Sequence, residues 1–223
     1  MKDEIATFEG VTVKYGKVLA VDNVSLTLKG DRILVIGPNG SGKSTLIKVM
    51  LGLIRASKGR VRVFGLDPLK HRPQIYARTT YLGEKDGIPH SIKVRTHLEH
   101  LETQYGPTVW KTAETLELRE HINKRFYELS RGFQRRLALV EPLSSRRPLI
   151  ILDDPLLGLD LRGRELIEGI LREKSEGGSK VIVVSHIMLP GLEPDRLVVM
   201  SSGNLIYEGS YDDEVVRRTI ISC

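Results

Sequence analysis

A glycine-rich stretch at residues 37–45, GPNGSGKST, has the residue types and spacing that could hold phosphate groups. It matches the pattern G-x-x-x-x-G-K-[ST] and lies between an apolar run and a helix-like segment, as that pattern requires. Its glycines let backbone N–H groups face phosphate oxygens, and the positive end of the following helix adds to the attraction. The stretch therefore predicts a phosphate-binding loop rather than a glycine-rich turn that happens to contain a lysine. Its predicted ligands are Gly37, Pro38, Asn39, Gly40, Ser41, Gly42, Lys43, Ser44 and Thr45.

Two side chains of this loop have specific predicted roles. Lys43 would reach the terminal phosphates, and the Ser44 hydroxyl would bind Mg²⁺. Asp153, which ends the apolar run LIIL at 149–152, is a candidate for the acid that holds the same metal. Asp154 follows directly. Because successive side chains of a strand point to opposite faces, the two aspartates are expected to have different roles.

The segments that must position these residues alternate between strand-like and helix-like patterns. Strands are predicted before the loop by the alternation in TFEGVTVKY and VDNVSLTL and by the apolar run RILVIG. After the loop, the apolar residues of KSTLIKVMLGLI have helical spacing. RVRVFG and TTYLG predict further strands, whereas residues 93–147 have a helical pattern with a break at Gly106-Pro107. An α/β pattern then returns, with strand-like LIILD, helix-like RELIEGILREKSE, strand-like KVIVVSH and a hairpin with a Gly203-Asn204 turn.

Several motifs in order resemble those of the ATP-binding subunits of ABC transporters. They are Tyr15 in KYG, the phosphate loop, LSRGFQRR at 129–136 in place of the usual LSGGQ signature, LIILDDP, GLD at 158–160 and His186 in VVSH. The resemblance implies an α/β fold of the P-loop NTPase class, with a mixed β core, antiparallel N-terminal strands and a helical subdomain. It implies one domain over 1–223, with the core at 1–83 and 148–223 and the helical subdomain at 84–147.

The same resemblance implies functional roles. Tyr15 would stack on adenine, Lys43, Asp154 and His186 would be catalytic, and Ser130 and Gly132 would contact a nucleotide held by a second subunit. ATP and Mg²⁺ are the implied cofactors. The implied partners are a separate polytopic membrane subunit and a second ATP-binding subunit, in a homodimer or a heterodimer, at the cytoplasmic face of the membrane.

Each of these residues also has a structural interpretation that needs no family. Tyr15 could be a half-buried strand residue, and His186 could simply end a strand. Ser130 is a good helix N-cap, although a capped helix N-terminus also carries the free N–H groups and partial positive charge that suit a phosphate.

The sequence departs from the family pattern at the catalytic acid and in the signature. Asp154 stands where the family usually has glutamate, and its side chain is shorter by roughly 1.5 Å. A misplacement of about 1 Å can cost on the order of 100-fold in rate, so slow hydrolysis is expected, and a non-hydrolysing clamp subunit is the alternative. Arg131 replaces a signature glycine, and Phe133 stands where glutamine is common.

Glu84 stands where the family usually has a metal-contacting glutamine. An acid at this place resembles the subgroup that serves exporters, and a carboxylate can still reach Mg²⁺ through water. In that subgroup the segment after this position contacts the membrane subunit, so the resemblance implies that residues 84–105 form the interface with the membrane partner.

Composition limits the other classes of function. The longest apolar runs fall far short of the roughly 20 residues of a membrane-spanning helix. The acidic N-terminus and the single cysteine, Cys223, favour the cytoplasm. The net charge of +6 would suit a nucleic acid or an anionic lipid surface, but the basic residues are scattered, so a solvated surface is favoured. A soluble ABC ATPase acting on nucleic acid is a further alternative, which fits poorly because the chain has one cassette and no heptad-rich insert, and no nucleic-acid partner is expected. His97 and His100 could share a metal, yet a polar helix surface is favoured and no metal other than Mg²⁺ is expected.

Overall fold

The computed structural model describes residues 4–211, and Cys223 lies outside this range. Its strands are β1 Glu4–Tyr15, β2 Val18–Lys29, β3 Arg32–Ile36, β4 Lys58–Val63, β5 Thr79–Leu82, β6 Leu149–Asp153, β7 Lys180–Ser185, β8 Arg196–Ser201 and β9 Asn204–Ser210. Its α-helices are α1 Lys43–Met50, α2 Arg72–Arg78, α3 Val94–Tyr105, α4 Thr108–Thr115, α5 Arg131–Ser144 and α6 Leu161–Glu176. Short 3₁₀ turns occur at Arg119–His121, Phe126–Glu128 and Pro190–Leu192.

Two sheets form the β core. The first is antiparallel, in the order β2-β1-β4, and the second has six strands in the order β5-β6-β7-β3-β8-β9. In the second sheet the neighbouring strands β5, β6, β7, β3 and β8 are all parallel, and β9 runs antiparallel to β8. This arrangement confirms the predicted mixed β core with antiparallel N-terminal strands. The parallel strands β3, β6 and β7 end at one edge, and this edge carries the phosphate loop and the aspartate pair.

The parallel strands are buried on both faces, which explains their continuous apolar runs. Alternate residues enter two separate apolar clusters because strand side chains have a period of two. The cluster on the side of α5 and α6 takes Leu34, Ile36, Ile150, Leu152, Val181 and Val183. The cluster beneath the antiparallel sheet and α1 takes Ile33, Val35, Ile151, Ile182 and Val184.

The helical region is continuous with the first of these clusters. The helices α3, α4 and α5 contribute Leu98, Val109 and Leu139 to it, all fully buried. The Trp110 indole N–H also donates to a Glu102 carboxylate oxygen at 2.7 Å, which fixes α4 against α3. The helical pattern of residues 93–147 is therefore confirmed, whereas its separation as a subdomain at 84–147 stays a prediction.

Among the local details that differ from the sequence predictions are one helix end, one turn and one helix that was not predicted. Helix α1 ends at Met50, four residues early, because the Leu53 N–H turns back to the Lys48 carbonyl oxygen at 2.8 Å. The hairpin turn is formed by Ser202 and Gly203, both with positive φ, so the predicted Gly203-Asn204 turn was wrong by one residue. Helix α2 was not predicted because its seven residues bury only one apolar side chain. Among the described residues, no helix is long and apolar enough to cross a membrane.

Candidate nucleotide site

A cleft of about 630 Å³ opens at the strand ends. The structure brings together here most of the residues predicted from sequence, from distant parts of the chain. The cleft is lined by Asn39, Gly40, Ser41, Gly42, Lys43, Ser44, Thr45, Glu84, Asp154 and His186, together with Val18, Leu19, Ala20 and Leu157. Gly37 and Pro38 lie at the base of the loop, behind this lining.

Two of the loop glycines are required by close approach of other backbone. A Cβ on Gly37 would overlap the Met200 carbonyl oxygen, and a Cβ on Gly42 would overlap the Ala20 carbonyl oxygen. Both residues also have φ values between +100° and +153°, which L side chains rarely adopt. The glycine pattern thus lets the loop pass closely over β8 and the β2 backbone.

Lys43 lies beneath the loop and is only 5% exposed. Its Nζ donates to the carbonyl oxygens of Gly37 at 2.7 Å and Pro38 at 2.9 Å. Burial lowers the pKa of Lys43, while Asp154 and Asp153 act in the opposite direction. The ammonium group is thus held inside the turn where terminal phosphates would bind.

Asp153 ends β6 and is 2% exposed. Burial raises its pKa, the charge of Asp154 acts in the same direction, and a hydrogen bond from Ser44 lowers it. Its Oδ1 has no hydrogen-bond partner among the residues that the structure describes. A buried carboxylate oxygen that lacks a partner and lies beside a serine hydroxyl fits a hard divalent cation such as Mg²⁺.

Asp154 does not continue the strand. Its φ of 47° turns the chain, its N–H donates to the Val184 carbonyl oxygen at 2.8 Å, and its Oδ1 lies 2.9 Å from Nδ1 of His186. The two aspartates therefore separate as expected, but by a backbone turn and not by the alternation of a strand. Asp154 and His186 form a polar pair facing the cleft.

The rim of the cleft carries apolar side chains that sequence reasoning missed. Val18 is 65% exposed, Leu157 53% and Leu19 41%. In the sequence, Val18 and Leu19 look like ordinary strand residues. Their exposure beside a polar cleft is visible only in the fold.

Three other predicted residues lie away from the cleft lining. Tyr15 is 46% exposed at the end of β1 and pairs with Val18, which does line the cleft. Ser130 is exposed and caps α5, accepting a hydrogen bond from the Phe133 N–H at 3.4 Å. A Cβ on Gly132 would lie 3.1 Å from the Gly158 carbonyl oxygen, so the signature lies close to the GLD segment.

The departures in the signature have different surroundings. Arg131 is exposed, whereas the Phe133 ring packs on His121 with ring centroids 4.0 Å apart and has Arg136 above it. Phe133 is therefore turned toward its own helical region.

The predicted absence of another metal site concerned His97 and His100 on α3. Burial lowers the pKa of His97. The described residues contain no cluster of three or more potential metal ligands of the His, Cys, Asp and Glu types.

The fold and this cleft define a nucleotide-binding cassette, and comparison with known proteins gives its family. Residues 21–157 match the model of the ABC transporter family. The chain belongs to this family and is an ATP-binding subunit, and ATP hydrolysis is the general activity of such cassettes.

The chain is similar to several curated ATP-binding proteins. It is 30% identical to the daunorubicin resistance ATP-binding protein DrrA3 of Streptomyces coeruleorubidus, over 96% of this chain and 70% of the relative. It is 33% identical to the energy-coupling factor transporter ATP-binding protein EcfA1 of Clostridium novyi, over 94% and 81%. It is 32% identical to the Nod factor export ATP-binding protein I of Rhizobium johnstonii, over 90% and 67%.

Solved structures support the same fold. An ATP-binding subunit of an ABC transporter superposes with a TM-score of 0.81 at 20% identity, covering 98% of this chain and 95% of that one. A bacterial Atm1-family ABC exporter with ATP bound superposes with a TM-score of 0.85 at 19% identity, covering 100% of this chain and 41% of the exporter.

Proposed function

We propose that two copies of this subunit, or one copy and a close relative, close over two Mg-ATP molecules and thereby drive a separate polytopic membrane subunit. The observation that carries the proposal is the division of the site. The phosphate loop, Asp154 and His186 face the cleft, while Ser130 and Gly132 lie apart at the exposed start of α5. A second subunit would bring its own Ser130 to the open side of the cleft, and the exposed Val18 and Leu157 fit a surface covered in that way.

Each residue has a role in this proposal. Loop amides and Lys43 bind the phosphates, Ser44 and Asp153 hold Mg²⁺, Glu84 reaches the metal through water, and Tyr15 stacks on adenine. Mg²⁺, when bound, would neutralise charge on the phosphate oxygens. Asp154 orients the attacking water, and the pairing with His186 fixes the position of its carboxylate.

Export is the proposed direction of transport. The names of two relatives refer to daunorubicin resistance and to Nod factor export. Glu84 also provides the acid at the position where the chain resembles the exporter subgroup. The subunit would act at the cytoplasmic face of the membrane, with residues 84–105 against the membrane subunit. Vesicles reconstituted with this subunit and its membrane subunit would test the direction: cargo should move away from the side that holds ATP. Movement toward that side would contradict export.

Slow turnover is proposed as well. Asp154 is one C–C bond shorter than glutamate and its oxygen is already bonded to His186 at 2.9 Å, so its reach toward a water is reduced. A subunit that mainly clamps ATP is the second candidate. Turnover measured on the purified protein separates the two.

The shared site is tested by mixing two inactive variants. Ser130→Asp keeps the helix cap but places a negative charge where a γ-phosphate would approach, and Ser130→Thr is the control that keeps the cap without the charge. Lys43→Ala removes the phosphate ligand. Each inactive variant alone should fail, whereas a mixed pair contains one intact site.

Recovery of about a quarter of the wild-type rate is expected, because half of the pairs are mixed and each has one of two sites. Full activity of Ser130→Asp, or no recovery on mixing, would contradict a site shared between subunits.

A further inference from the structure

Arg135, on the second turn of α5, is a buried cation to which the roles above give no task. Its side chain is 4% exposed. The guanidinium donates from Nη2 to the carbonyl oxygens of Asp153 at 2.7 Å and Asp154 at 3.0 Å, and from Nε to that of Pro155 at 3.4 Å. Its Nη1 donates to the Gly83 carbonyl oxygen at 3.1 Å and to the Asp86 carboxylate at 2.9 Å. One side chain thus makes five hydrogen bonds.

These bonds join two neighbouring strand ends. Strands β5 and β6 are paired, with Leu82 opposite Leu152, and Arg135 binds the chain directly after each of them. The first segment carries Glu84 and the second carries Asp154, both of which line the cleft. A planar guanidinium with five donors can hold several carbonyls in a fixed arrangement, which a lysine ammonium cannot reproduce.

The backbone at Asp154 needs such support. A φ of 47° is uncommon outside glycine, and such conformations persist only where surrounding contacts hold them. The Asp154 N–H is held by the Val184 carbonyl, and its carbonyl oxygen by Arg135 and by the Leu157 N–H at 3.2 Å. Arg135 is the contact that also extends to the Glu84 segment.

We propose that Arg135 is a positioning residue, which holds Asp154 and the Glu84 segment at a fixed separation for ATP hydrolysis. This inference rests on the proposed function of those two residues. Arg135 lies on the helix that begins at Ser130, so contact of Ser130 with the nucleotide of a partner subunit is linked through α5 to the catalytic acid of its own site. Arg135 is not among the residues that line the cleft.

The test compares Arg135→Lys with Arg147→Lys. Arg147 donates to the Thr79 carbonyl oxygen at 3.1 Å, at the opposite end of β5 from the cleft, and therefore controls for the loss of an arginine–carbonyl bond. We expect Arg135→Lys to lower kcat by at least about tenfold with KM for Mg-ATP changed less than about threefold, because the acid moves while the phosphate loop stays. Arg147→Lys should stay within about twofold in both constants.

Hydrogen–deuterium exchange provides a readout that does not depend on turnover. In Arg135→Lys, peptides covering residues 83–88 and 152–158 should exchange faster than in the wild type, while the peptide covering the phosphate loop should not change. Equal exchange and equal kcat in Arg135→Lys and the wild type would overturn the proposal, as would an equal loss of kcat in Arg147→Lys.

Two further outcomes also decide the proposal. If Arg135→Lys does not fold, Asp86→Asn weakens one of the five bonds and should give a smaller loss of kcat and faster exchange in the same two segments; wild-type behaviour of Asp86→Asn would then overturn the proposal. If the wild type binds ATP without turnover, the proposed hydrolytic role fails, and the exchange data still decide whether Arg135 positions Asp154.

Discussion

The phosphate loop and the turn at Asp154 face the same cleft but are held in different ways. In the loop, Lys43 binds carbonyls only five and six residues away, and glycines provide the required backbone angles. At Asp154, the contacts come from Arg135, 19 residues away, and His186, 32 residues away. The loop is thus specified locally, whereas the position of the acid depends on α5 and β7. Changes in the loop should abolish binding, and changes around Asp154 should alter rate.

The largest effect is expected for Lys43→Ala, which removes the buried ammonium from the loop. Turnover should fall on the order of 10³-fold or more, because charge stabilisation of the transferred phosphoryl group is lost. Titration with Mg-ATP and a steady-state ATPase assay measure this. ATP affinity and turnover that survive the change would contradict the phosphate-binding assignment.

Asp153→Asn tests the buried metal acid and should lower turnover on the order of 100-fold in Mg²⁺. The same change should stabilise the metal-free protein at pH 7. The pKa of Asp153 is raised in the fold, so the free energy of unfolding falls as pH rises above the ordinary value of 3.8.

Removal of that buried charge should therefore raise the Tm of the metal-free protein by about 2–4 °C at neutral pH. The difference should disappear at a pH below 3.8, where both side chains are neutral. A lower Tm for Asp153→Asn at pH 7 would contradict this account.

Asp154→Glu tests the reach of the acid. It should raise turnover by about tenfold, because the carboxylate regains roughly 1.5 Å. Asp154→Asn is the control and should lower it, since the amide keeps the shape but is not a base. An unchanged or lower rate for Asp154→Glu would show that Asp154 is not a shortened base.

The smallest effect is expected for Phe133→Gln. The ring packs on His121 within its own helical region, so its loss should cost about 1 kcal/mol of unfolding free energy and change turnover less than about threefold. Chemical denaturation measures the first quantity. Tyr127→Gln, at a residue that is 57% exposed, is the matched control and should be near neutral. A large change of turnover for Phe133→Gln alone would place that side chain at the nucleotide.

The strands, most of the helices and the loop could be predicted because their signals are local. Periodicity identified helix α3 at its observed bounds, and the glycine-rich pattern identified the phosphate loop. Helix α2 was missed because a seven-residue helix with one buried apolar residue has no clear period. Arg135 was missed because its sequence context, RGFQRR, looks like a basic surface cluster, although the side chain is buried.

The sequence by itself determined which residues can bind phosphate and metal, because glycine, lysine, serine and aspartate carry that chemistry in their own backbone freedom and functional groups. It also determined the strand and helix pattern. Only the tertiary structure decided that Asp153 is buried while Asp154 turns to meet His186, and that Phe133 faces its own subunit. These outcomes depend on hydrogen bonds and packing between segments that are far apart in the chain. The residue types and spacing within one segment do not determine such contacts.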